Sequence, residues 1–349
     1  MLHPMRYLII GAGAVGGTIG GRLHQAGHDV LLVARGPHLA ALRAGGLRLT
    51  VPDGTHRLPV PAVGGPDEVE LAPDDVLLLA VKTQHSTALL EQWAPRPVAG
   101  GGTAAERLPL VCAQNGVENE RLALRRFERV YGMCVWLPSA HLEPGAVSAA
   151  GSPCSGVLHL GRYPHAPHHS PGTDAATDGT DATAARIAAD LAGAHFDAYA
   201  RPDVMAWKYA KLLSNLGNAL EAVAGPIDGE LRMRAWRRVR AEGEAVLAAA
   251  GIAHPSEEEQ QAVRGERVTL LPLPGAVRGG GSSWQSLARG TGDIEADYLN
   301  GEIVLLGRLH GVPAPLNAAL QRLAAEFART GRPAGSLPDA DLAALLDAS

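Results

Sequence analysis

The feature that most constrains this chain is the string Gly11-Ala-Gly-Ala-Val-Gly16, set between an apolar run at 7–10 and a helical pattern over 15–26. A G-x-G-x-x-G in that setting turns tightly at its first glycine, leaves the backbone open at the second and packs helix on strand at the third. The helix it opens aims N–H groups and a positive dipole end at the turn, which suits a pyrophosphate. A second strand is expected at 29–33, and further short apolar runs follow at 76–81, 108–113 and 130–135. Runs that are apolar throughout belong to strands buried on both faces. Such strands alternating with helices predict an α/β fold with a doubly wound parallel sheet.

A helix is expected over 184–194. From Asp203 onward the pattern is almost all helical: 203–223, 230–250, 256–268, 283–290, 293–310 and 315–329. Gly311 and Pro313 form the stop signal after the fifth of these. The expected boundary lies near 198–203, between a dinucleotide-binding domain (1–200) and an all-α substrate and dimerisation domain (201–349). The last dozen residues read as a short tail. The stretch 164–183, rich in His, Pro, Gly, Asp and Thr, reads as an exposed loop without chemistry, despite His165, His168 and His169.

Composition excludes several classes. With 349 residues, 46% of them hydrophobic and 19% charged, the chain can build a sizeable core and is not disordered. A net charge of -5 argues against nucleic acid as the main partner. No run of eighteen apolar residues predicts a membrane span, and the start runs into a strand without a signal peptide. Cys112, Cys134 and Cys154 are odd in number and not at metal-like spacing, which fits a reducing cytoplasm and no metal.

The second strand should end Leu32-Val33-Ala34-Arg35. An NAD-binding protein places an acid there for the ribose 2′-hydroxyl; here Arg35 stands where a 2′-phosphate would lie. The expected cofactor is therefore NADPH, held by Gly11, Gly13, Ala14, Val15, Gly16 and Arg35. Ligands of open parallel sheets lie beyond the C-terminal strand ends. Two such ends are polar: Lys82 follows the run at 76–81, and Gln114-Asn115-Gly116 follows the run at 108–113. Lys82 is placed toward the cofactor. Asn115 is placed toward the nicotinamide ribose or a substrate oxygen.

Only three of the 31 basic residues are lysines: Lys82, Lys208 and Lys211. That bias suggests that some of these positions need a primary amine. Lys211, Asn215 and Asn218 are spaced i, i+4, i+7 and share one helix face at about 100° per residue. An amine and two amides on an apolar helix need polar partners, and a small oxygen-rich substrate would supply them. Lys208 falls about 60° off that face and reads as structural. Ser282 with Gln285 reads as a capping box, leaving Ser283 in the first turn for a carboxylate. Asp293, Glu295 and Asp297 crowd one helix start, where the dipole accounts for part of the acidity and does not tell which acid faces a site.

Together these segments resemble the ketopantoate reductases (2-dehydropantoate 2-reductases). The resemblance is carried by GAGAVGG, Ala34-Arg35 with His38, VKTQ, QNGVENE, KLLSN with NALEAVAG, and SSWQSLARG with IEADYLNGEIVLLGRLHGVPAPLN. It spans nearly the whole chain in order. It implies a Rossmann-like N-terminal domain, a helical C-terminal domain, NADPH, and a 2-keto acid substrate. It implies a catalytic lysine at Lys211 and an essential glutamate at Glu295. Asn115, Asn215 and Ser283 match the substrate-contacting positions, and Lys82 the cofactor-side lysine. One departure stands out: the family's second helical asparagine lies eight residues after the lysine, whereas position 219 is alanine and Asn218 lies at seven. Another small 2-keto acid or an imine is therefore an alternative substrate. A dinucleotide-binding sensor without turnover is an alternative of another class. Apolar helices in the C-terminal half point to a homodimer.

Overall fold

The computed structural model describes residues 4–165, 180–273, 280–290 and 292–348. Eight strands among them form the main sheet: β1 (Arg6–Ile10), β2 (Asp29–Val33), β3 (Ala62–Val63), β4 (Asp75–Leu79), β5 (Leu110–Cys112), β6 (Val130–Trp136), β7 (Val157–Tyr163) and β8 (Asp197–Ala200). Their order is β8-β7-β6-β5-β4-β1-β2-β3. Neighbours run parallel except β6 and β7, which pair antiparallel. Alternate residues of each strand enter two separate cores. Tyr7, Ile9, Val76 and Leu78 lie in one, against Ile19, Leu23, Ile187 and Leu191. Leu8, Ile10, Leu77 and Leu79 lie in the other, against Leu90, Trp93 and Ala123. Burial on both faces is why these runs carry no polar alternation. Strand order reverses at β1, which has β2 on one side and β4 on the other, the arrangement that opens a crevice at the strand ends.

A smaller sheet has the order Gly54–Leu58, Leu47–Val51, Ala146–Ala149, Ser139–Ala140. It packs on α1 (Ala14–Gln25). The approach is close: a Cβ at Gly17 would lie 2.8 Å from Val147 Cγ1.

Contacts divide the chain into two units. The first comprises Met1–Gln114, Glu118–Lys208 and Glu257–Val277; the second comprises Asn115–Val117, Tyr209–Ser256 and Arg278–Ser349. The division falls within α2 (Val204–Asn215). The described residues of the second unit are helical: the later part of α2, then α3 (Gly217–Ala224), α4 (Gly229–Ala249), α5 (Ser282–Ala288), the 3-10 turn Glu295–Tyr298, α6 (Asn300–His310), α7 (Pro315–Thr330) and α8 (Asp339–Asp347).

Several expected elements differ. The helix expected at 203–223 breaks at Leu216, whose carbonyl accepts a hydrogen bond from Asn300 Nδ2 at 3.0 Å. Gly217 follows and packs so closely that a Cβ there would lie 3.2 Å from the Trp236 ring. The helix expected at 293–310 splits into the 3-10 turn and α6, with Leu299 at φ -110°, ψ -87° between them. The helix expected at 256–268 stops at Arg264, and Val268–Leu270 pairs antiparallel with Gly151–Pro153. The expected tail folds instead as α8, with Leu342 and Leu346 buried. Gly335 and Leu337 N–H groups tie its approach to the Ala222 and Val223 carbonyls, both at 2.9 Å. Most of the loop expected at 164–183, with His168 and His169, lies outside the described residues. No helix among the described residues is long and apolar enough to cross a membrane.

Candidate functional site

In the first unit the glycine loop leaves β1 under tight backbone control. Gly11 and Ala12 N–H groups donate to the Val33 carbonyl at 3.0 and 3.2 Å, and Ala80 N–H donates to the Ile10 carbonyl at 2.9 Å. Gly11 has φ +104°, and a Cβ there would lie 2.6 Å from Val81 Cγ1. A Cβ at Gly16 would lie 2.9 Å from both Ala80 and Ile9 side chains. Gly13, by contrast, has open space: a Cβ there would meet nothing within 4 Å among the described residues. Gly13 is also the N-cap of α1, no side chain caps it, and the first turn holds no acid. The loop thus presents open backbone and an uncapped helix start over Gly13, Ala14 and Val15, which fits a pyrophosphate. Arg35 is the exposed N-cap of the helix Gly36–Gly45. Its guanidinium has no hydrogen bond or ion pair with the described residues, so a phosphate dianion would meet no competing carboxylate there.

The strand ends are organised by a buried polar network. Gln114 Nε2 donates to the Val81 carbonyl (3.0 Å), Ser86 Oγ (2.9 Å) and Asn119 Oδ1 (3.1 Å). Asn119 Nδ2 donates to Thr83 Oγ1 at 2.9 Å, and Ser86 Oγ donates to Asn119 Oδ1 at 2.6 Å. This network holds the half-buried Lys82 at the N-cap of the turn Thr83–His85. Both amide atoms of Gln84 are buried with no partner among the described residues, a second polar group at this edge that a ligand could satisfy.

Lys208 is structural, as expected, and its partner is Glu120. The two form a salt bridge with side chains 2% and 0% exposed. Burial pushes the Glu120 carboxyl up, opposed by the Lys208 ammonium. Glu120 Oε2 finds no hydrogen bond among the described residues. The same desolvation, with the Glu120 charge, pushes the Cys112 thiol up.

In the second unit, Lys211 lies partly exposed on α2, and Asn215 follows one turn later, 4% exposed. Asn215 Nδ2 has no hydrogen-bond partner among the described residues, so a buried donor is available on this stretch. Asn218 lies beyond the Leu216 break, on α3, and donates to Ser282 Oγ at 3.4 Å. The capping box expected at Ser282 and Gln285 does not form. Gly281 is the N-cap of α5, and its N–H donates to Glu221 Oε2 at 2.8 Å. Ser282 is drawn inside the helix by this carboxylate on α3, and Ser283 follows it, buried. Glu295 begins the 3-10 turn, partly exposed. Asp297 accepts from Gln321 Nε2 at 2.8 Å and is engaged there. Asn115 is partly buried next to Gly116, whose φ is +78°. A Cβ at Gly116 would lie 3.0 Å from the Tyr298 carbonyl.

The site residues named from sequence therefore fall into two groups. Gly11 to Gly16, Arg35 and Lys82 lie in the first unit; Asn115, Lys211, Asn215, Asn218, Ser283 and Glu295 lie in the second. Sequence reasoning missed Gln84, Glu120 and the Gln114–Asn119–Ser86–Thr83 network. Only the polar strand ends signalled them.

Two family models match the chain: "Ketopantoate reductase PanE/ApbA" over residues 7–165 and "Ketopantoate reductase PanE/ApbA C terminal" over residues 203–328. The chain belongs to the ketopantoate reductase family. The 2-dehydropantoate 2-reductase of Pyrococcus abyssi is 26% identical over 325 residues, covering 90% of this chain and 95% of that one. The Mycobacterium tuberculosis enzyme of the same name is 29% identical, covering 91% and 96%. Among solved structures, a PanE/ApbA family ketopantoate reductase from Ralstonia eutropha has a TM-score of 0.74 at 29% identity, covering 94% of this chain and all of that one. A D-mandelate dehydrogenase with NADH and anilino(oxo)acetate shares the fold, with a TM-score of 0.73 at 21% identity and 94% and 99% coverage. The expected α/β fold, a Rossmann-like sheet followed by a helical region, is the fold of these structures.

Proposed function

We propose that the chain is an NADPH-dependent 2-dehydropantoate 2-reductase, reducing ketopantoate to (R)-pantoate for pantothenate biosynthesis in the cytoplasm. The reading rests first on the two family models, which run in order over most of the chain and contain every candidate residue. Support for a dinucleotide comes from the open backbone at Gly13 and the uncapped start of α1. Support for NADPH over NADH comes from an Arg35 guanidinium without a partner among the described residues and from the absence of an acid at the end of β2.

When bound, NADPH would supply the hydride that reduces the ketone carbon. Lys211 gives a proton to the alkoxide oxygen as charge builds on it; an ammonium can do so near neutral pH and a guanidinium cannot. Glu295 accepts a hydrogen bond from the substrate hydroxyl and orients it. Asn215 offers its unpaired Nδ2. Asn115, Asn218 and Ser283 complete the polar set for carboxylate and hydroxyl. Gly11, Gly13, Ala14, Val15, Gly16, Arg35 and Lys82 hold the cofactor. Exposed Leu305 and Leu309 on α6 support association of the helical unit as a homodimer.

A second reading keeps the chemistry and changes the substrate to another small 2-keto acid or an imine. It is favoured by Ala219 with Asn218 at seven residues from Lys211. It also fits the sharing of this fold by an NADH-bound D-mandelate dehydrogenase. The test is NADPH oxidation with ketopantoate, run beside NADH and a panel of 2-keto acids. Turnover with ketopantoate and a strong NADPH preference is the expected result. Turnover with a different keto acid moves the substrate, and tight NADPH binding with no turnover of any substrate refutes the enzymatic reading.

A further inference from the structure

His38 sits three residues after Arg35, in the helix Gly36–Gly45. Its Nε2 lies 2.8 Å from the carbonyl of Ala12, inside the glycine loop. Its Nδ1 accepts the N–H of Gly145 at 2.8 Å. A ring nitrogen that accepts carries no proton, so the other must carry it: the imidazole is neutral, with Nε2–H donating to Ala12. Gly145 is held close. Its φ is +75°, and a Cβ there would lie 2.9 Å from Ala41 Cβ on the same helix as His38. One imidazole thus ties together the glycine loop, the helix that starts at Arg35, and the turn leading into Ala146–Ala149.

We propose that neutral His38 is a positioning residue for the dinucleotide, holding the glycine loop through Ala12 and Gly145 so that protonation of its ring loosens the cofactor. The proposal rests on the dinucleotide reading above and deepens it. A protonated ring has two donors, and its Nδ1–H would face the Gly145 N–H. One of the two hydrogen bonds must then break. Burial already disfavours the charged ring, partly offset by the Ala12 carbonyl. The ionisable group facing it from the packed strand segment is His141, its ring 4.4 Å away. His141 Nδ1 is itself 3.0 Å from the Ala146 carbonyl. Glu143, in the same turn, is paired with Arg48. His38's own helix brings Arg35 at its N-cap, and the first turn of α1 brings no acid.

The experiment is fluorescence titration of the full chain with NADPH and with NADH between pH 5.5 and 8, with melting temperatures alongside. Wild-type affinity for NADPH is expected to hold through the ordinary imidazole range, about 6.5, and to fall at lower pH, because burial shifts protonation of this ring downward. His38→Phe, which keeps a ring without hydrogen bonds, should weaken NADPH binding about tenfold at pH 8, the scale of two lost hydrogen bonds. His38→Gln keeps a donor and an acceptor but does not titrate. It should restore most of the affinity and flatten the pH dependence. A His38→Gln protein whose pH dependence matches wild type overturns the proposal, whether or not His38→Phe folds. Equal NADPH affinity of His38→Phe and wild type also overturns it. Wild-type protein that binds neither dinucleotide overturns the functional reading itself.

Discussion

Lys208→Met leaves the Glu120 carboxyl buried without its cation. The group then takes a proton in the folded state rather than stay ionised. Its unfolded pKa is about 4.3, so holding it neutral at pH 7 costs about 2.7 units at 1.36 kcal/mol each, about 4 kcal/mol. That agrees with about 3–5 kcal/mol for breaking a buried pair from one side. For a unit of this size the melting temperature should drop on the order of 10 °C. The sign of the pH dependence follows from the raised carboxyl. Folded protein holds the proton over a range where unfolded protein has released it, so the deficit is full at pH 7 and shrinks as pH falls toward about 4.3. The double variant Glu120→Met/Lys208→Met should recover wild-type stability or exceed it. The native pair is incompletely satisfied: Glu120 Oε2 has no hydrogen bond among the described residues, and such pairs are often matched by apolar residues of similar volume. Urea denaturation of the four proteins at pH 7 and pH 5 completes the cycle. A deficit for Lys208→Met under about 0.5 kcal/mol, the range of an ordinary surface substitution, would refute the reasoning. So would a double variant as unstable as the sum of the singles.

Lys211→Ala should lower kcat by about two orders of magnitude or more while leaving the NADPH dissociation constant near wild type, as measured by steady-state kinetics and titration. Arg35→Ala should cut the NADPH-over-NADH preference in kcat/KM at least about tenfold, the scale of one charge-assisted hydrogen-bond pair; an unchanged preference removes Arg35 from the 2′-phosphate site. His159 packs between Trp207 and Tyr199, with ring centroids 4.1 and 5.5 Å away, and burial with the nearby Arg201 lowers its pKa to about 3. The unfolded chain binds that proton first, so wild-type stability should fall relative to His159→Phe as pH drops below about 6.5, at up to about 1.4 kcal/mol per unit. Equal pH slopes for the two proteins would contradict that burial.

The glycine loop, the strands about it and the order of the family motifs were legible in the amino-acid sequence. They depend on neighbouring residues: glycine at positive φ, apolar runs buried on both faces, a helix starting where a strand ends. Boundaries failed where a distant group intervened. Leu216 breaks the expected helix because Asn300, 84 positions away, takes its carbonyl. Ser282 loses its capping role because Glu221, whose carboxylate accepts the Gly281 N–H, sets the start of α5. The same cause hid the residues that support the site. Glu120 and Lys208 lie 88 positions apart, and His38 and Gly145 lie 107 apart. In sequence Glu120 and Lys208 are ordinary charged residues, a class that is mostly exposed, and nothing local to His38 points to Gly145. Sequence alone determined which backbone stretches could form a dinucleotide loop and which residue types were on hand. Tertiary structure decided which polar side chains were buried, because desolvation is tolerated only where the fold brings a partner within hydrogen-bond reach.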